Sequence, residues 1–85
     1  GILEICRQHR VRVVEDAAHA FPSRLGPRMV GALGDITCFS FYANKTITTC
    51  EGGMITTEND EYARRMGVMR LHGIDRDIWN RFTSD

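Results

Sequence analysis

The stretch Phe39-Ser40-Phe41-Tyr42-Ala43-Asn44-Lys45-Thr46-Ile47-Thr48-Thr49-Cys50-Glu51-Gly52-Gly53 constrains the fold more than any other part of the chain. It begins inside Ile36–Phe41, a run apolar on both faces that reads as a buried strand, and it ends where a second strand, Gly53–Thr57, begins. The connection between them is at the lower limit of length for a helical crossover and carries no helical periodicity, so the two strands are expected to run antiparallel. The loop presents Lys45, the only lysine; the other ten basic residues are all arginine. An amine just past a buried strand is either a solvated loop lysine or the nucleophile that condenses with a carbonyl cofactor. The partners supplied elsewhere in the chain decide between these.

Ile2, Ile5, Cys6 and His9 recur at helical spacing, which predicts an amphipathic helix over Gly1–Arg10. Val11-Arg12-Val13-Val14 follows, β-branched and short, and reads as a mostly buried strand. A helix feeding directly into a strand is half of a βαβ unit, so the expected class is α/β, a mixed and mostly parallel sheet flanked by helices. Glu15-Asp16 and Ala17-Ala18-His19-Ala20 then fall beyond the carboxyl end of that strand, where ligands collect in open α/β sheets. Phe21–Gly34 is rich in glycine and proline and reads as loop, with Arg28-Met29-Val30 as a short strand inside it. Thr57 or Asn59 caps a further helix whose apolar stripe is Tyr62, Met66 and Met69, and Gly73 is its natural stop. The tail Ile74–Asp85, with Trp79 and Phe82, reads as a short helix or as irregular chain.

Composition excludes several classes. Eleven basic and eleven acidic residues give zero formal charge, with no basic block for nucleic acid or an anionic membrane. No apolar run approaches the roughly 20 residues of a membrane helix, and no signal peptide is visible. Cys6, Cys38 and Cys50 include no C-x-x-C pair, so neither zinc nor dithiol chemistry is expected. Cys6 and Cys38 read as reduced core residues, a pattern that suits the cytoplasm.

Pyridoxal phosphate makes three demands on a protein: a lysine for the imine, a carboxylate to keep the ring nitrogen protonated, and donors for the phosphate. Asp16 is an acid at a strand's carboxyl end, and Lys45 follows an apolar strand suited to lie beside it. Ser40 offers a hydroxyl for the phosphate, and His19 lies three residues after Asp16, within reach of the ring's phenolic oxygen. Each signal has a plain structural alternative. Taken alone, Asp16 is more often a helix or turn cap, His19 a satisfied structural histidine, and Ser40 a hydroxyl bonded to nearby backbone. The order of acid, strand, lysine, Gly-Gly and strand is what makes the set informative.

Val14-Glu15-Asp16-Ala17-Ala18-His19-Ala20, Gly34-Asp35 leading into Phe39-Ser40-Phe41-Tyr42, and Asn44-Lys45-Thr46-Ile47-Thr48-Thr49 with Glu51-Gly52-Gly53-Met54 closely resemble the DegT-type nucleotide-sugar aminotransferases. Leu71-His72-Gly73-Ile74 and its Arg-Asp continuation are similar to that family too, and the Asn-Lys-Thr-Ile-Thr-Thr variant is similar to its perosamine-synthase-like members. The resemblance implies the aspartate-aminotransferase type of fold, with residues 1–85 as a central slice of the large cofactor-binding domain, lacking its N-terminal part and the C-terminal small domain. It matches Lys45 to the Schiff-base lysine, Asp16 to the partner of the pyridine nitrogen, Ser40 to a phosphate-binding serine, and His19 to a position, often glutamine, close to the ring. It implies pyridoxal 5'-phosphate as cofactor, pyridoxamine phosphate in the half-reaction, glutamate as amino donor, a keto group of a nucleotide-linked sugar as acceptor, and a homodimer. On this reading the isolated 85 residues are inactive.

Two alternatives stand beside it: a dehydratase or synthase of the same family, and a non-catalytic fragment or binding module. Cys50 departs from the family pattern, which has glycine before Glu-Gly-Gly. If the backbone there requires a positive φ, cysteine is strained by about 1 kcal/mol or more.

Overall fold

The computed structural model describes residues 1–74. The tail with Trp79 and Phe82, and the continuation after Ile74, lie outside the described residues. In chain order the elements are α1 (Ile2–Gln8), β1 (Val14–Asp16), β2 (Arg24–Leu25), β3 (Arg28–Met29), β4 (Ile36–Ser40), β5 (Gly53–Thr56) and α2 (Asp60–Met69). Three strands form one sheet in the order β1-β4-β5, while β2 and β3 form a separate hairpin. Within the sheet β1 runs parallel to β4, with Val14, Glu15 and Asp16 opposite Ile36, Thr37 and Cys38. β5 returns antiparallel to β4, Ser40 facing Gly53 and Thr37 facing Thr56, as the short connection requires.

The first strand is displaced from its expected position. It begins at Val14 and takes in Glu15-Asp16, rather than spanning Val11–Val14. The reason lies in where the earlier amides go. Helix α1 ends with Arg10 in the left-handed region (φ 57°), and the N–H of Val11 turns back to the carbonyl of Cys6 at 2.8 Å. The N–H of Val13 donates to Oδ2 of Asp35 at 2.8 Å, so it is not available to a ladder. Val13 in turn accepts from the N–H groups of Asp35 and Ile36 at 3.1 and 3.2 Å. Asp35 also accepts from Nη1 of Arg12 at 3.1 Å, and that guanidinium lies 6.0 Å from the Tyr62 ring centroid. One carboxylate therefore sets the register at which β1 meets β4 and ties that entrance toward α2.

β4 is the central strand. Phe39 and Thr37 on it, with Ala17 beyond β1, are the buried residues among those described. Thr37 is a polar side chain in that position, and its hydroxyl donates to Oε2 of Glu15 at 2.8 Å, which satisfies it. The β4–β5 pairing depends on Gly53: a Cβ there would sit 2.8 Å from the carbonyl oxygen of Phe39, inside backbone that has nowhere to move. The outer strands keep much of their apolar surface in solvent, with Val14 at 64%, Met54 at 53% and Ile55 at 52% exposure. Cys6 and Cys38, expected in a core, are only half-buried, and all three cysteines are free thiols. Neither outer face is covered deeply enough within these residues to bury them.

The expected loop after β1 carries the β2–β3 hairpin, in which Arg24 faces Met29 and Leu25 faces Arg28. Of the three residues predicted as a strand there, Arg28 and Met29 are in β3, and Val30 closes the hairpin by donating to the carbonyl of Ser23 at 3.0 Å. α2 is capped by Asn59, whose Oδ1 accepts from the N–H of Tyr62 at 2.9 Å. Thr57, the other candidate cap, instead donates its hydroxyl to the carbonyl of Asp35 at 2.7 Å. Tyr62, Met66 and Met69, the expected stripe, line an open groove with Ile36 and Ile55, and Met69 stays exposed. The helix ends at Met69 with Arg70 as its cap, before the expected stop at Gly73; Gly73, at φ 77°, donates to the carbonyl of Val68 at 3.1 Å. No helix among the described residues is long and apolar enough to cross a membrane.

The bond from the Val13 amide holds the Asp35 carboxyl below its ordinary value of 3.8, helped by Arg12 and opposed by desolvation. A depressed folded-state value stabilises the fold above the unfolded value, and that contribution is lost as pH falls through the folded one. Asp35→Asn should therefore flatten the acid limb of a plot of melting temperature against pH. It should also cost about 1–3 kcal/mol near neutrality, because the Val13 amide and Arg12 lose a charged acceptor. An unchanged acid limb would show that Asp35 does not hold this junction.

Candidate active site

The parallel pairing of β1 and β4 brings two carboxyl ends to one edge, and each continues into a braced turn. Beyond β1, the N–H of Ala17 donates to the carbonyl of Cys38 at 2.8 Å, which extends the pairing by one residue. Oδ1 of Asp16 accepts from the N–H of Ala18 at 3.1 Å, and the N–H of Ala20 returns to the carbonyl of Ala17 at 3.0 Å. Ala17 is buried beneath this turn, which lifts His19 over the edge of the sheet. Phe21 then packs its ring edgewise against Phe39 at 5.4 Å and Phe41 at 5.8 Å. Such aromatic pairs contribute about 0.5–1.5 kcal/mol beyond their buried area, here pinning the turn to β4.

Beyond β4, the N–H of Phe41 still bonds to the carbonyl of Gly52 at 2.8 Å. The Phe41 carbonyl accepts twice, from the N–H of Thr49 at 2.9 Å and from the hydroxyl of Thr48 at 3.0 Å. Inside the loop so closed, the N–H of Lys45 donates to the carbonyl of Tyr42 at 3.0 Å. Thr48 therefore does structural work that its place in a run of β-branched residues did not reveal.

The two turns meet through side chains. Nζ of Lys45 lies 3.1 Å from Nε2 of His19. An ammonium can only donate, which would make Nε2 of His19 the acceptor and put the ring proton on Nδ1, whereas a neutral amine can pair with either tautomer. Lys45 makes no ion pair with a carboxylate among the described residues. The amine lines a cavity of about 70 Å³ together with His19, Phe21, Ser40, Asn44 and Thr46. His19, Ser40 and Lys45 are thus brought together. Asp16 is not on the cavity wall; it stands two residues before Ala18, which is, and its carboxylate is fixed by the Ala18 amide. Ser40 also accepts a long bond from the N–H of Tyr42, at 3.4 Å. Phe21, Asn44 and Thr46 were not singled out from sequence. Asn44 and Thr46 flank Lys45 and were legible as its neighbours, whereas Phe21 sits in a breaker-rich loop without a periodic signal.

Cys50 is in the left-handed region, at φ 68°. Its N–H donates to Oγ1 of Thr48 at 3.0 Å, and its side chain is exposed. The conditional expectation of strain at this position therefore applies. A sheet edge that gathers an amine, an imidazole and a hydroxyl on the ends of parallel strands has the organisation of a cofactor-binding α/β enzyme. The chain belongs to the DegT/DnrJ/EryC1/StrS aminotransferase family, whose model matches residues 1–85. Its relatives include the spore coat polysaccharide biosynthesis protein SpsC of Bacillus subtilis, 46% identical over all of this chain and 22% of that protein. GDP-perosamine synthase of Caulobacter vibrioides is 49% identical over 92% of this chain and 22% of its own. Among solved structures, the Helicobacter pylori aminotransferase PseC, involved in pseudoaminic acid biosynthesis, matches 99% of this chain and 22% of its own, with 32% identity and a TM-score of 0.84. The chain thus spans about a fifth of the length of these relatives, and the architecture is a piece of the aminotransferase fold that binds pyridoxal phosphate.

Replacing Cys50 by glycine removes the steric penalty at its positive φ, set against a larger loss of chain entropy on folding. Cys50→Gly should raise stability by about 0.5–1 kcal/mol in denaturant unfolding, and Cys50→Val should lower it. Equal stabilities for the three side chains would mean that the loop relaxes away from this conformation in solution.

Proposed function

We propose that this chain is the central slice of the large domain of a pyridoxal phosphate-dependent aminotransferase that moves an amino group from glutamate to a keto group of a nucleotide-linked sugar. The observation that carries the reading is the meeting of Lys45 and His19 at 3.1 Å across the two strand ends, with Ser40 on the same cavity wall. The donor set fits the cofactor chemically: an amine with no carboxylate partner among the described residues, a hydroxyl and an imidazole around one cavity, and an acid fixed at the neighbouring strand end. When bound, pyridoxal phosphate supplies an electron sink for the pair left when the substrate's Cα proton departs.

The chain's own residues then divide the work. Lys45 supplies the amine that holds the cofactor and, when released, takes and returns a proton as general base and acid. Asp16, with Oδ1 held by the Ala18 amide, offers a carboxylate to the protonated ring nitrogen. Ser40 offers its hydroxyl to the phosphate, and His19 its imidazole to the phenolic oxygen. The exposed apolar faces of β1 and β5 support a slice covered by further parts of a large domain. Three free cysteines suit a cytoplasmic protein. The homodimer and the glutamate donor follow from the family analogy.

The test uses the full-length protein containing this chain. Purified with cofactor, it should show a visible absorption band that Lys45→Ala abolishes. Asp16→Asn should keep the band's cofactor content while lowering kcat for transamination about 100-fold or more. Normal cofactor capture by Lys45→Ala would remove Lys45 from its role, and parent-rate transamination by Asp16→Asn would remove Asp16.

A further inference from the structure

We infer that His19 is a positioning residue for Lys45: its Nε2 holds the lysine amine at the sheet edge before any covalent partner is attached. This rests on the reading of Lys45 as the cofactor's lysine and adds a task for His19 distinct from contact with the ring. Lysine side chains on loops ordinarily sample many rotamers, and fixing one costs conformational entropy. Here the two ends of the contact come from separate strands, and both are braced by backbone bonds. On one side Ala17 is buried and bonded to Cys38, and Ala20 bonds back to Ala17. On the other, the Phe41 carbonyl gathers Thr48 and Thr49, and Tyr42 holds the Lys45 amide. Phe21, packed on Phe39 and Phe41, locks the His19 turn against the strand that delivers Lys45.

With both backbones fixed, the 3.1 Å contact selects one direction for the half-buried Lys45 side chain. Lys45 has no competing carboxylate among the described residues, so an imidazole acceptor alone decides where its amine points. A neutral acceptor orients the ammonium without the strong Coulombic hold that a carboxylate exerts, and loss of a proton to solvent then frees the amine's lone pair for a carbonyl carbon. The contact also has a tautomeric consequence. With Lys45 donating to Nε2, as this inference has it, the imidazole proton sits on Nδ1.

Two measurements on the full-length protein test this, one of them independent of the cofactor. In cofactor-free protein, nitrogen-15 spectra of the histidine rings should show His19 with its proton on Nδ1, and Lys45→Met should shift the His19 Nε2 resonance. Proton on Nε2, or no response to Lys45→Met, overturns the pairing. In the second, the rise of the visible band after adding pyridoxal phosphate should be about tenfold slower in His19→Ala. His19→Gln, which keeps a side-chain acceptor of similar reach, should restore most of that rate. Capture as fast in His19→Ala as in the parent overturns the positioning role. Failure of His19→Gln to restore the rate does so too, since a purely structural histidine would not be replaced by a matched acceptor. If the parent forms no band, the cofactor reading fails, while the nitrogen-15 result still decides whether Lys45 and His19 are paired.

Discussion

Parallel pairing of β1 with β4 is the constraint on which the site depends. Parallel neighbours end at the same edge, so whatever follows each strand is delivered to one place. Asp16 opposite Cys38 fixes how far along that edge each turn begins. A shift of one residue would send every side chain of β1 to the other face and withdraw the His19 turn from Lys45. A parallel pair also needs a long connection, and the chain uses the β2–β3 hairpin and its flanking loops where a helix is commoner. Phe21 leaves that connection early and packs back on β4, so the excursion does not loosen the turn it departs from.

Two further local devices make that register specific. At the entrance, Asp35 gathers the Val13 amide and Arg12, and its own amide returns to Val13. At the exit, Gly53 lets β5 approach the Phe39 carbonyl, and the Phe41 carbonyl closes the Lys45 loop. Between them lies a short central strand with few buried residues, so the geometry is held by hydrogen bonds and close backbone contacts more than by a large core. That balance leaves the apolar side chains of Val14, Met54 and Ile55 in solvent within the described residues.

Much of this was legible in the residues. Ile36–Ser40 is apolar on both faces because it is central, and the short connection to Gly53 dictated an antiparallel return. Tyr62, Met66 and the Asn59 cap described α2 well. The misreading of Val11–Val14 as the strand has a clear cause. β-branched composition marks a tendency to extend, but the amides of Val11 and Val13 are claimed by Cys6 and Asp35, partners invisible to any local pattern. Asp35 carried a signal that was noted only as part of a motif: an acid directly before a buried strand, where a free carboxylate would be costly unless it took up donors. Lys45, His19, Ser40 and Asp16 were marked from sequence, yet local spacing could not reveal that three of them line one cavity and the fourth stands just outside it. For Cys50 the sequence supports only a conditional expectation, strain if the backbone needs a positive φ, which rests on the family's glycine at that place; φ is 68° there.

The proposed role of Lys45 as the cofactor's amine rests on its place at this edge beside His19 and Ser40. Its most direct test is borohydride reduction of the full-length protein with bound pyridoxal phosphate, followed by peptide mapping. The account predicts a single pyridoxyl adduct, on the peptide that contains Lys45 and ends before the Glu51-Gly52-Gly53 turn or includes it. An adduct on a lysine elsewhere in the protein, with Lys45 unmodified, would contradict it.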